Sequence, residues 1–314
     1  MSNTDKTKLD AVNTFINNIV QFPINLWSFT GHTGAVYALA FGSDGYLYSG
    51  SADRSVRKID PATGTEVWSF TGHTNTVHAL AFGSDGYLYS GSVDRSVRKI
   101  NPATGTEVWS FTGHTGAVYA LAYGSDGYLY SGSQDKTIRK IDPSTGTEVW
   151  SFTGHTNSVW ALAFGSDGYL YSGSVDRSVR KINPSTGEQV WSFTGHTGAV
   201  YALVYGLDGY LYSGSVDRPV RKINPSTGTE VWSFTGHTGA VYALAYGLDG
   251  YLYSGSYDKS VRKINPSTGT EVWSFTGHTS YVYALAYGLD GYLYSGSYDK
   301  SVRKIFDVLK FKLN

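Results

Sequence analysis

The 314-residue chain has no cysteine. Disulfides, thiolate nucleophiles and cysteine-ligated metals are therefore excluded, and the fold must hold by packing and hydrogen bonding alone. There is also no charge surplus, because 25 basic residues balance 25 acidic ones. A protein built mainly to grip a nucleic-acid backbone needs a concentrated basic surface, so no specific nucleic-acid partner is expected. No run of about 18 apolar residues is present to span a bilayer. The first 20 residues lack both a basic stretch next to an apolar core and a small-residue cleavage site, so they do not read as a secretory signal. Cytoplasmic residence is the resulting expectation.

What the chain does have is a 41-residue unit copied almost unchanged. The histidines of its Gly-His pairs, His32, His73, His114, His155, His196, His237 and His278, each follow the last by 41 residues. A period of this size dictates the architecture. Within one unit, Ala35 to Phe41 (AVYALAF) is an apolar run suited to a doubly buried strand. Gly42, Asp44 and Gly45 make a tight turn, and Tyr46 to Ser51 form a second strand. A turn at Asp53-Arg54 leads to a third strand over residues 55–59. The Pro61 turn leads to a fourth over 65–71, whose bulky residues are Val67, Trp68 and Phe70. Turn signals every 8–12 residues and β-branched, aromatic strands exclude a helical repeat.

One four-stranded sheet cannot bury both its faces, but copies stacked around an axis can. The expected fold is therefore all-β, a seven-bladed β-propeller. Its closure is visible in the phase of the repeat: the chain opens with a lone fourth-type strand around Trp27 and ends with a first, second and third strand only. Pairing these orphans completes the seventh blade and removes an open edge. The expected organisation is an extension over 1–24, the propeller over 25–306 and a tail over 307–314. Leu9, Val12, Phe15, Ile16, Ile19 and Val20 recur at helical spacing, so a short helix is expected there, ended by Pro23.

The recurring Gly31-His32 and Ser49-Gly50-Ser51-x-Asp53-x-Ser55-Val56-Arg57 resemble the WD40-repeat family over residues 25–306. In that family a histidine, a serine or threonine, an aspartate and a tryptophan form a buried network. The resemblance implies structural roles for His32, Ser49 and Asp53, and for the pairs His73 and Asp94, His114 and Asp135, His155 and Asp176, His196 and Asp217, His237 and Asp258, and His278 and Asp299. The sequence departs from the family at the tryptophan, which is isoleucine in every blade, from Ile59 to Ile305. A second stretch, Lys58-Ile59-Asp60-Pro61-x-Thr63-Gly64-x-x-Val67-Trp68, resembles the repeat of quinone-dependent propeller enzymes and related envelope scaffold proteins. It is read here as shared blade mechanics.

Seven histidines spaced one per blade cannot converge on a metal, and seven copies of one Ser-His-Asp set are a repeated structural device, not a catalytic triad. No metal, cofactor or catalytic residue is expected. The tryptophans at Trp68 and its counterparts are expected to pack between blades, and the Arg57-Lys58 pair to keep the rim soluble and form cross-strand contacts.

Where copies agree, duplication explains the agreement; the differences are more informative. The residue after the first valine of the unit reads Tyr37, His78, Tyr119, Trp160, Tyr201, Tyr242 and Tyr283, and the residue before the turn aspartate includes Gln134, Tyr257 and Tyr298. A third class is the pair after Gly-His-Thr, from Gly34-Ala35 to Ser280-Tyr281. All three classes fall at one end of their strands. An aromatic surface with polar handles suits protein recognition. The expected function is a non-catalytic scaffold binding a protein or peptide segment on that face. A glycan-binding propeller and a cofactor-dependent propeller enzyme are the alternatives.

Overall fold

The computed structural model describes residues 23–307; the expected N-terminal helix, and the expected C-terminal tail after Asp307, lie outside them. These residues form twenty-eight strands, from β1 (Ile24–Phe29) to β28 (Val302–Phe306). The first complete blade contains β2 (Val36–Phe41), β3 (Leu47–Ser51), β4 (Val56–Ile59) and β5 (Glu66–Phe70), paired antiparallel in that order. Five more blades repeat it. The seventh is assembled from β26 (Val282–Tyr287), β27 (Leu293–Ser297), β28 and, from the other end of the chain, β1. Ile24 lies opposite Phe306 and Phe29 opposite Val302, so the ring closes as the phase of the repeat predicts.

First strands of successive blades adjoin one another around the axis. The core lies between blades, not inside one. Tyr48, Val56 and Phe70 of the first blade pack with Val77, Leu88 and Ile100 of the second. Burying each such side chain contributes roughly 1.5–3 kcal/mol. The approach is close at Gly50, where a Cβ would meet Val77 Cγ1 at 2.7 Å. Ile59, standing where a tryptophan was implied, is wholly buried in the equivalent wedge between the seventh and first blades, with Phe29, Tyr294 and Val302.

Two further ties cross between blades. Trp68 Nε1 donates to the Pro102 carbonyl of the next blade at 3.0 Å, and its ring lies against Gly105. The second tie corrects the expectation for Lys58. This side chain is buried, not a solubilising rim residue. Its ammonium sits 3.9 Å above the Tyr46 ring and donates to Asp44 Oδ2 and to the Pro102 carbonyl, both at 2.9 Å. Register explains the burial: Lys58 lies directly opposite Tyr48, whose side chain is enclosed in the wedge and whose hydroxyl donates to Asp44. Arg57, pointing the other way, pairs with Glu66 on the blade surface.

Candidate functional site

The loops that enter the innermost strand and the turns that join second to third strands lie on the same face. One hub per blade joins them. His32 Nδ1 is 2.8 Å from Asp53 Oδ2, and His32 Nε2 is 2.7 Å from Ser49 Oγ. An ionised carboxylate only accepts, so Nδ1 carries the proton and Nε2 accepts from the serine. Asp53 also accepts from the Thr33 and Ser55 amides and the Ser55 hydroxyl. Burial alone would raise the Asp53 carboxyl, but the hydrogen bonds from His32 and Ser55 outweigh it and hold the group far below the usual carboxylate range. The counterparts of His32, Ser49 and Asp53 repeat these bonds in each blade. The fifth differs, since Pro219 removes the serine and its amide; Asp217 then leans on His196 through both oxygens and is lowered only to about 2.

Above these hubs the innermost strands carry a bulge. Val36 lies opposite Ser51 and Ala38 opposite Gly50, so Tyr37 has no partner across the ladder. The same step occurs in every blade, and a bulge re-aims the side chain it carries. Tyr37, His78, Tyr119, Trp160, Tyr201, Tyr242 and Tyr283 are thereby brought together around a cavity of about 360 Å³ at the mouth of the central channel. Successive ring centroids are 3.9–5.3 Å apart all the way round. At separations this short the rings overlap like petals, most of them tilted by 30–45° against the next. The mouth therefore presents ring edges and hydroxyls. Burial in this ring pushes the His78 imidazole down to about 4, so it is neutral at pH 7.

The ring is continuous with a tyrosine cluster on the last two blades. Tyr257 and Tyr298 are about half exposed, and each lies near the ring, at 6.4 Å from Tyr242 and 6.3 Å from Tyr283. Tyr281 stacks on Tyr257 at 3.7 Å and donates its hydroxyl to the Tyr257 hydroxyl. Gln134 does not line the mouth; it stays within its own blade, its side-chain oxygen 3.5 Å from the Ala117 amide of the adjoining loop.

Tyr281 belongs to the variable pairs expected on this face. Sequence reasoning missed the residue after each turn aspartate: Arg54, Arg95, Arg177 and Arg218, with Lys136, Lys259 and Lys300 in the remaining blades. All seven adopt a left-handed backbone, with φ of 69–84°, and all are exposed. The amide of Arg54 donates to the Ser51 carbonyl, and that of Ser51 to the Ser55 carbonyl. This turn ordinarily favours glycine or asparagine at its left-handed position, so a cation there was the available signal.

Among the described residues no group of three or more histidine, aspartate or glutamate side chains is placed to hold a metal ion, and no helix is long and apolar enough to cross a membrane.

The profile of the family described as outer membrane protein assembly factor BamB matches the chain in overlapping stretches, residues 25–125, 93–203, 134–276 and 216–305. Comparison with curated proteins finds no match. The family match overturns the WD40 resemblance. The Gly-His and turn-aspartate elements tie together the loops of a blade, so they report blade mechanics and not lineage; the missing tryptophan at Ile59 was the contrary sign. The stretch from Lys58 to Trp68, with its resemblance to envelope scaffold proteins, is the one that agrees with the family. The match also overturns the expectation of cytoplasmic residence, since the family description is that of an outer membrane factor. The family description, that of an assembly factor, is consistent with a non-catalytic interaction scaffold. The chain belongs to the family of the outer membrane protein assembly factor BamB.

Proposed function

We propose that this propeller is a scaffold that receives an extended segment of a partner protein on its aromatic face. In this reading the segment is anchored at the channel mouth and runs over the tyrosines of the last two blades. One observation carries it: seven side chains projected by bulges form an unbroken ring that joins, on one side only, the exposed cluster of Tyr257, Tyr281 and Tyr298. The one-sided cluster gives a seven-fold frame a direction, which an extended ligand can use. Rigid tyrosines with polar hydroxyls supply contact area at low entropic cost. The rings' mutual stacking favours this reading over glycan binding, which needs open aromatic faces.

The test is quantitative capture of partners from the native cell by the intact chain, by W160A/Y201A and by Y257A/Y281A/Y298A. Truncating an aromatic anchor costs about 2 kcal/mol or more, so at least one variant should retain about thirty-fold less of a specific partner. Equal retention by all three proteins would sink the proposal.

A further inference from the structure

We infer that the segment received on this face is acidic. This rests on the proposed aromatic-face reading and adds the chemistry of the partner to it. Although the whole chain is electrically neutral, its charges are sorted in space. The turn aspartates of this face are already engaged: Asp53 receives His32, two amides and the Ser55 hydroxyl. Lys58 is buried against Asp44 at the opposite end of the blade, and Arg57 is held by Glu66. Arg54 and its six counterparts are different. They are exposed, and none forms an ion pair with a described residue. One exposed cation per blade without an ion-pair contact therefore surrounds the aromatic mouth, while the balancing charge sits on the buried Asp53 carboxylate and its counterparts beneath.

These cations occupy a position that is strained for any residue with a Cβ. The turn itself would be better served by glycine. Both arginine (four blades) and lysine (three) occur there, so the charge is kept while its carrier changes. The mouth inside the ring has matching polarity. Aromatic edges carry the positive end of the ring quadrupole, phenol hydroxyls can donate, and His78 is uncharged. Carboxylates fit both zones: bidentate pairing with the arginines and hydrogen bonding to hydroxyls at the centre. A nucleic-acid strand fits less well, because its bases need open aromatic faces on which to stack, and here the faces are used by neighbouring rings.

The test uses three labelled dodecapeptides with the same Phe-Pro-Leu centre, flanked by glutamate, glutamine or lysine, titrated by fluorescence anisotropy. The proteins are the intact chain, R54G/R95G/R177G and W160A/Y201A. The glutamate peptide should bind at least about tenfold more tightly than the glutamine peptide at low salt, and the gap should shrink by about 300 mM salt. The glycine variant should lose several-fold of that preference yet melt at or above the parent temperature, since glycine is at ease at positive φ. A lower melting temperature would make the cations structural and overturn the inference. Equal binding of the glutamate and glutamine peptides, abolished in W160A/Y201A, would overturn the acidic partner while leaving the aromatic mouth standing. Tighter binding of an oligothymidylate than of the glutamate peptide would assign the ring to nucleic acid instead. Absence of binding by all peptides would overturn the inference, leaving the aromatic reading to the capture experiment.

Discussion

Replacing Lys140 by methionine tests whether the buried ammonium is a tie between blades. Its Nζ donates to Asp126 Oδ2 and to the Pro184 carbonyl of the next blade, both at 2.9 Å, and lies 3.9 Å over the Tyr128 ring. Methionine fills most of the same volume, so little cavity cost is added. The substitution removes two charge-assisted hydrogen bonds, each worth about 1.5–3 kcal/mol, and a cation–π contact of about 1 kcal/mol. Part of this is recovered. Trp150 still donates to Pro184 at 3.1 Å, Tyr130 still donates to Asp126 at 2.6 Å, and the aspartate side chain is 26% exposed, so water reaches it. The net loss should be about 3 kcal/mol. Asp126→Asn alone leaves the ammonium enclosed without its counter-charge and should cost about as much. In the double variant neither charge is stranded, so its loss should fall about 2 kcal/mol short of the sum. Urea unfolding of the four proteins, followed by fluorescence and circular dichroism together to verify a single transition, measures this coupling. Strictly additive losses, or a loss below about 0.5 kcal/mol for either single change, would refute the tie.

Acid should destabilise the propeller in two stages. His78 is lowered to about 4 from an unfolded value near 6.5, so its neutral form supports folding fully above pH 6.5 and about 1–3 kcal/mol is lost as pH falls toward 4; His78→Tyr should flatten that part of a urea-midpoint profile. Asp53 and its counterparts are depressed in the fold, so their contribution is complete above the unfolded value near 3.9 and drains away below it, giving a steep second stage in the same profile. Gly50→Ala should cost about 1–3 kcal/mol by urea unfolding, because its methyl would enter the space of Val77. Deleting residues 1–30 strips the partner from β28; size-exclusion chromatography should then show association through the open edge, whereas a stable monomer would argue that closure is dispensable.

The architecture was legible because it depends on period and phase. The 41-residue spacing sets the blade, and the lone strand at Trp27 sets the closure; both survive ignorance of any side-chain contact. Strand ends read from turn residues fell within a residue of those observed: 35–41 and 55–59 became Val36–Phe41 and Val56–Ile59. The bulge at Tyr37 was not legible. VYALAF reads as an ordinary apolar run, and the extra residue appears only when paired against LYSGS. Lys58 was misread for a related reason: a charge next to Arg57 suggests a solvated pair, but two tyrosines at alternate positions of the facing hairpin make a cage for it. The lineage was misread because loop-tying hubs are conspicuous in a sequence while the segment that agrees with the family is plainer.

The offset between copy and blade has a further consequence. Each copied unit begins in the outermost strand of one blade and supplies the three inner strands of the next, so every boundary between copies falls inside a hydrogen-bonded sheet. Adding or losing one copy then changes the ring by one whole blade. No such event leaves a partial blade, because the strand orphaned at one end is always the strand missing at the other. Copy number and ring size are locked together, and a chain that grows by duplication passes only through closed rings.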